Sequence, residues 1–335
     1  MRIGLAYDLK EAVCVGQGHP DDALEEYDSP QTVEALASAF EAAGHSVTRL
    51  GGGREFLARV VDEQIDLVFN IAEGLGNYRS REAQVPSVLE MLGIPYSGSD
   101  PQCLAICLDK PLTKKLVAMA GVRTPMWRVI GSDVQLKAVT WDEFPFPVFV
   151  KPAQEGSSKG VRFACRAEGP EEAARAVARL LGDYRQPVLV EEFIPGDEVT
   201  VGVIGNSPPR VLGVMRVLPR KREGDFVYTL EVKRDWERLV DYECPARLAP
   251  EVIRAIADSS LKAFEALGCR DLARIDFRVS PAGLPHFLEI NPLPGLNPHS
   301  GDLPIMAGKT GLTYQALISS VVDAALGRYR LCVRA

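Results

Sequence analysis

The stretch FLEINPLPGL, residues 287–296, changes character at its midpoint. Its first half alternates apolar and polar side chains with the period of a strand. Its second half holds Pro292, Pro294 and Gly295, residues that end a sheet. At the change stand a carboxylate, Glu289, and an amide, Asn291, two positions apart and so on one face. Upstream, ARIDFRV (273–279) places Arg274 and Asp276 two apart in another strand-like run. Only the turn-like SPAGLP (280–285) separates the two runs, so they are expected to pair as a hairpin. One face then presents Arg274, Asp276, Glu289 and Asn291. Hard oxygen donors in this arrangement suit Mg2+, which keeps waters and completes its octahedron with phosphate oxygens. Taken alone, the pattern also fits a solvated strand face carrying one Asp–Arg pair. The rigid Pro-Leu-Pro-Gly exit would fix the loop 295–302 relative to that face.

Two further stretches carry chemistry. In VKPAQEGSSKGV (150–161) a lysine, Lys151, ends an apolar strand. A loop with Gly156, Ser157, Ser158 and Gly160 follows, able to aim N–H groups and hydroxyls at phosphates. A small flexible hairpin loop would look the same. In VLVEEFIPGDEVTV (188–201) Glu191 and Glu192 follow a strand, and Glu198 follows a Pro-Gly turn. That geometry fits a hinge meeting an adenine edge and a ribose, or an ordinary turn with solvated acids.

Around these, residues 1–100 alternate strands and helices, the pattern of a parallel sheet. RIGLAY and IDLVFNIAE read as strands, and Ser29-Pro30 opens a helix. The stretch PEEAARAVARLL (170–181) reads as an exposed helix. Later segments carry antiparallel cues. The expected organisation is an N-terminal α/β domain over 1–104, a small central α+β unit over 105–190 and a C-terminal unit over 191–330.

With 335 residues and a net charge of -7, the chain has no overall basic character that would point to nucleic acid. No run approaches the ~18–20 apolar residues of a membrane span. The start MRIGLAYDLK lacks the features of a signal peptide. Seven cysteines, at 14, 103, 107, 165, 244, 269 and 332, form no C-x-x-C and fit a reducing cytoplasm. Cys103 and Cys107 share a helix face and are expected in the core. The four histidines show no zinc spacing; His19 and His45 are expected at the surface.

Taken in order, LGIPYSGS, LDKPLTKKL, VKPAQEGSSKGV, EEFIPGDEVTV, YECPA, LGCRDLARIDFRV and FLEINPLPGL resemble the ATP-grasp superfamily and, within it, the D-alanine–D-alanine ligases. The likeness runs from about residue 85 to 320. It implies a three-domain ATP-grasp fold with an N-terminal parallel-sheet domain. It implies ATP and two Mg2+ (or Mn2+), with a carboxylate activated as an acyl phosphate and then captured by an amine. By resemblance, Lys110, Lys151, Glu155 and the 156–160 loop meet the nucleotide. Glu191, Glu192, Phe193 and Ile194 meet adenine, and Glu198 the ribose. Lys233 reaches phosphates. Asp276, Glu289 and Asn291 hold metal. Arg274, Lys233, Ser157 and Ser158 serve catalysis.

The acceptor region departs from that family. FNIAEGLGNYRSREAQVP (69–86) has Asn70 and Glu73 where a His-Gly pair is usual. The stretch YDLKEAVCVGQGHPDDALEEYDSP (7–30) is longer and acidic, with Glu25 or Glu26 available for a substrate amine. NPHSGDLP (297–304) keeps His299 and Ser300 and adds Asp302; FVYTLEVK keeps Tyr228. Arg79 and Arg81 are candidates for a substrate carboxylate, as Gly295 is for the substrate loop. The expected enzyme is a cytoplasmic, homodimeric carbon–nitrogen ligase acting on small amino-acid-like molecules, with substrates other than two D-alanines. The alternatives are a nucleotide-binding regulatory protein without turnover and a carboxylate–thiol or carboxyphosphate-forming relative.

Overall fold

The structure is a computed structural model describing residues 1–335 except 15, 17, 143, 222–225 and 330–335. Cys332 lies outside the described residues. Three sheets organise it, and the clefts between them hold the site.

The N-terminal sheet is parallel, in the order β2 (Ser46–Gly51), β1 (Arg2–Ala6), β3 (Leu67–Asn70). The strands are joined by α1 (Pro30–Ala42) and α2 (Gly53–Asp62), and α3 (Gln84–Leu92) follows. As the sequence predicts, Ser29 caps α1, its hydroxyl accepting from the Thr32 N–H at 3.3 Å with Pro30 in the first turn. Leu36 and Phe40 on α1 share a core with Ile3, Leu5 and Phe69.

Helices α4 (Pro101–Leu108) and α5 (Lys110–Met119) lead to the second sheet, ordered β4 (Trp127–Ile130), β7 (Val188–Glu192), β5 (Val148–Pro152), β6 (Arg166–Ala167), all antiparallel. Helices α6 (Asp133–Lys137) and α7 (Pro170–Tyr184) accompany it. Helix α7 is not the exposed helix expected. Ala173, Ala176, Val177, Leu180 and Tyr184 form a buried stripe at helical spacing, and the charged residues occupy the other face.

The third sheet is antiparallel, ordered β10 (Val240–Glu243), β9 (Arg210–Pro219), β8 (Asp197–Ile204), β11 (Leu272–Val279), β12 (Pro285–Asn291). It carries α8 (Leu230–Arg234), α9 (Trp236–Leu239), α10 (Pro250–Ala266) and α11 (Asp302–Lys309). The last helix, α12 (Tyr314–Tyr329), turns back and buries Leu317, Val321 and Leu326 in the N-terminal core. The predicted hairpin is β11–β12. Arg274 lies opposite Asn291 and Asp276 opposite Glu289, with a bulge directly after Asp276. No helix among the described residues is long and apolar enough to cross a membrane.

Candidate active site

A cleft opens between the second and third sheets. Lys110, Lys151, Glu155, Ser158, Glu191, Glu192, Phe193, Ile194, Glu198 and Lys233 line it together with Asp276 and Glu289. Lys110 opens α5 directly after Asp109, whose carboxylate caps the helix. Its ammonium donates to the Glu155 carbonyl and stands 3.3 Å from Glu289. Lys151 leaves β5 and pairs with Glu191 at 2.7 Å; Lys114 pairs with the other oxygen of Glu191 at 2.8 Å. Burial alone would raise the Glu191 carboxyl, but the two lysines hold it below its ordinary value. That carboxylate is therefore engaged by lysines at the cleft wall.

The hinge after β7 is organised by Arg278. Its guanidinium donates to the carbonyls of Ile194, Gly196 (3.0 Å) and Phe226 (2.9 Å), pairs with Glu198 at 3.1 Å, and lies 4.6 Å from the Phe193 ring centre. Glu198 sits opposite Arg278 across the β8–β11 pair. It also accepts from the Tyr228 N–H at 3.1 Å.

On the hairpin face Arg274 pairs with Asp276 (3.0 Å) and Asp302 (3.3 Å) and reaches Glu289 at 3.8 Å. Thr200 donates to the other Asp276 oxygen at 2.9 Å. Burial would raise Glu289, yet the charges of Lys110, Lys151, Arg274 and Lys233 hold it well below the carboxylate range. Lys233 is pushed down by burial and by Arg274. The Asn291 amide oxygen accepts from the Leu293 N–H at 2.9 Å and keeps its second lone pair.

A second cleft shares Tyr228, Lys233 and Asp302 with the first. Glu25, Glu73, Ser157, Arg274, Asn291, Gly295 and Ser300 line it, as do Glu26 and Asp28. Between the clefts, Ser157 (φ 48°) and Ser158 (φ 60°) are both left-handed, a conformation costing about 1–3 kcal/mol per non-glycine residue unless its surroundings enforce it. The surroundings are the acidic segment 20–26. Asp22 accepts from the Gly160 N–H at 2.9 Å, and Lys159 pairs with Glu26 at 3.1 Å and Glu155 at 2.6 Å.

Several expected substrate residues lie elsewhere. Arg81 is buried and spent on Glu26 (2.7 Å), Glu155 (3.3 Å) and the Gln154 carbonyl (3.1 Å). Asn70 is buried and bonds the Ala72 N–H at 3.2 Å, closing a local turn. Neither lines either of these two clefts, nor do Arg79, which is exposed, and His299, whose backbone N–H donates to Asn297. Gly156 and Gly160 support the serine loop from outside both linings. Glu25 lines the second cleft but is paired with Arg234 at 2.7 Å. Lys114, Lys159, Arg278 and Asp28 were not singled out from the sequence. Arg278 was findable, because it continues the Arg274–Asp276 period of two. Lys114 had one signal, a lysine four positions after Lys110 on the same helix.

Burial, helped by Asp8, pushes the Asp28 carboxyl up to about 7. The folded chain thus holds this proton more tightly than the unfolded chain, where Asp titrates near about 3.9. The associated stability is present below about pH 4 and lost as pH rises through 7. Asp28→Asn is expected to gain stability relative to the parent between pH 5 and pH 8. Urea unfolding midpoints of both proteins at these two pH values measure the gain; a constant difference would assign Asp28 an ordinary pKa.

A cleft between two antiparallel sheets, lined by lysines and by the carboxylates of a hairpin, is the arrangement of an ATP-grasp ligase. The chain belongs to the D-alanine–D-alanine ligase family: residues 115–323 match the family described as D-ala D-ala ligase C-terminus. It is 32% identical over 298 residues to the D-alanine–D-alanine ligase of Moorella thermoacetica, covering 87% of this chain and 92% of that one. It is 31% identical over 323 residues to the protein y4sG of Sinorhizobium fredii, covering 94% and 93%. Two solved structures share the fold. The D-alanine–D-alanine ligase of Bacillus anthracis complexed with ATP superposes with TM-score 0.72 at 22% identity, covering 98% of this chain and 99% of that one. The VanG D-Ala:D-Ser ligase of Enterococcus faecalis superposes with TM-score 0.73 at 22% identity, covering 97% and 99%.

Proposed function

We propose that this chain joins a carboxylate to an amine at the expense of ATP, through an acyl phosphate, with amino-acid-like substrates other than a pair of D-alanines. The observation that carries the reading is the lining of the two clefts. Lys110, Lys151 and Lys233 line one cleft together with Asp276 and Glu289 of the hairpin, whose Arg274 and Asn291 line the adjoining cleft.

In this reading the purine lies on Phe193 and Ile194, in the hinge that Arg278 holds rigid, and Glu198 meets the ribose. Lys110, Lys151 and Lys233 place the phosphates, and Ser157 and Ser158 close over them. Asp276, Glu289 and Asn291 fit Mg2+: two carboxylates directly opposite each other and an adjacent amide oxygen form a hard, all-oxygen donor set. When bound, the metal would supply positive charge that offsets the charge developing on the phosphate oxygens. Arg274, beside Asp276 and Asp302, is aimed where the acyl phosphate and then the tetrahedral oxyanion develop negative charge. The loop docked on segment 20–26 excludes water, which would otherwise hydrolyse the acyl phosphate.

Substrates enter the second cleft. Its carboxylates without a basic partner, Asp28 and Glu73, suit the amino group of the first substrate, and Ser300, on the same cleft as Gly295, suits the second. The family's relatives named as D-alanine–D-alanine ligases supply the reaction class; the rebuilt N-terminal wall argues for a different pair. The test is phosphate release from Mg2+-ATP, substrate by substrate, across D- and L-amino acids, dipeptides and 2-hydroxy acids. Release with a pair other than D-alanine alone is expected. Nucleotide binding with no release from any pair would leave the regulatory alternative.

A further inference from the structure

Three thiols outside both clefts meet in the core that α4 and α10 share with the third sheet. Cys103 lies in the first turn of α4 and Cys107 one turn on, on the same helix face. Cys269 lies in the turn between α10 and β11, its N–H donating to the Phe264 carbonyl at 3.0 Å. The Cys103 sulfur is 3.8 Å from that of Cys107 and 3.5 Å from that of Cys269. All three sulfurs lie within 4.8 Å of one another, and each residue is buried. A metal with sulfur ligands at about 2.3 Å in a trigonal plane sets the sulfurs ~4.0 Å apart. The three are thus close to ligand spacing as they stand.

The ligand chemistry is selective. Among the described residues no histidine or carboxylate joins the group. An all-sulfur site takes soft ions and rejects the Mg2+ of the neighbouring cleft. Cys103 also lies near the α4 N-terminus, where backbone N–H groups favour a thiolate.

We propose that Cys103, Cys107 and Cys269 form a three-sulfur site for one soft, thiophilic d10 cation. Three S–H bonds break and three metal–sulfur bonds form; a divalent ion releases three protons and leaves a complex of net charge -1, so affinity falls with falling pH. The ion acts as a staple. The Arg270 N–H already donates to the Ser99 hydroxyl at 2.9 Å, and the Gly98 N–H to Asp271 at 2.8 Å. Bound metal would add three bonds to the same seam, between the helix that runs on to Lys110 and the root of the strand bearing Arg274 and Asp276.

The probe is Cd2+, titrated into the reduced, metal-free full chain without nucleotide and followed by sulfur-to-cadmium absorption in the ultraviolet and by proton release. One ion per chain and three protons per ion are expected. Cys269→Ser and Cys107→Ser should each weaken binding by at least about 100-fold, the upper end of what loss of even an outer-shell partner costs. A chain with Cys14, Cys165, Cys244 and Cys332 all replaced by alanine, and folded by circular dichroism, should bind as the parent does. Absence of Cd2+ binding by the parent, loss of it in that folded four-fold variant, or unchanged binding in either serine variant overturns the proposal. None of these readouts depends on ligase turnover.

Discussion

Arg274→Lys is expected to lower kcat by about 100- to 1000-fold, the cost of removing one preorganised donor from a developing oxyanion, while the protein stays folded. Arg274 is nearly buried between three carboxylates, Asp276, Asp302 and Glu289. Lysine keeps the positive charge those acids require, so the fold is served. It cannot reproduce the planar fork, which here satisfies Asp276 and Asp302 with different nitrogens and leaves little room for a point charge to do both. Arg274→Met separates the two roles. It removes the charge and strands acids that burial already raises, as Asp276 shows, so a loss of about 3–5 kcal/mol is expected. Substrate-dependent phosphate release gives kcat, and urea unfolding gives stability. A lysine variant within tenfold of the parent would make Arg274 a brace for the acids and nothing more.

What was legible in the sequence is what local pattern controls. The period of two placed Arg274, Asp276, Glu289 and Asn291 on one hairpin face, and the register confirms each pair. Ser29-Pro30 located a helix start because capping is a contact within four residues. The lining of the first cleft was readable because its lysines and acids end strands or open helices. The lining of the second was not, for a physical reason. Whether a surface-looking arginine meets a ligand or an internal acid depends on residues far away in the chain. Arg81 is engaged by Glu26 and Glu155, 55 and 74 positions distant. Asn70 looked like a replacement for a substrate-binding histidine, but its amide closes a turn two residues on. Helix α7 looked exposed because two of the five residues of its inner stripe are alanine, which weighs little in a hydrophobic count, while charged residues fill the other face.

Arg81→Met is expected to destabilise the protein by about 3–5 kcal/mol, since it leaves buried carboxylates without their cation. Arg81, Lys159, Glu26 and Glu155 form a charge-balanced quartet, each no more than 9% exposed at its side chain. Removing one cation leaves a net buried negative charge. Restoring the balance should therefore restore stability: Arg81→Met with Glu26→Gln keeps one cation and one acid. A double-mutant cycle should show that the second change recovers much of the loss caused by the first. The quartet also has a mechanical role. It ties segment 20–26 to the loop bearing the left-handed Ser157 and Ser158. A loosened tie should admit water to the activated intermediate. Phosphate release without the amine substrate should then rise relative to amide formation in Arg81→Met. If Arg81 instead bound a substrate carboxylate, KM for that substrate would rise, stability would hold, and the Glu26→Gln partner would rescue nothing. The ratio of uncoupled to coupled turnover, read beside the unfolding curve, separates a clasp on the loop from a hand on the substrate.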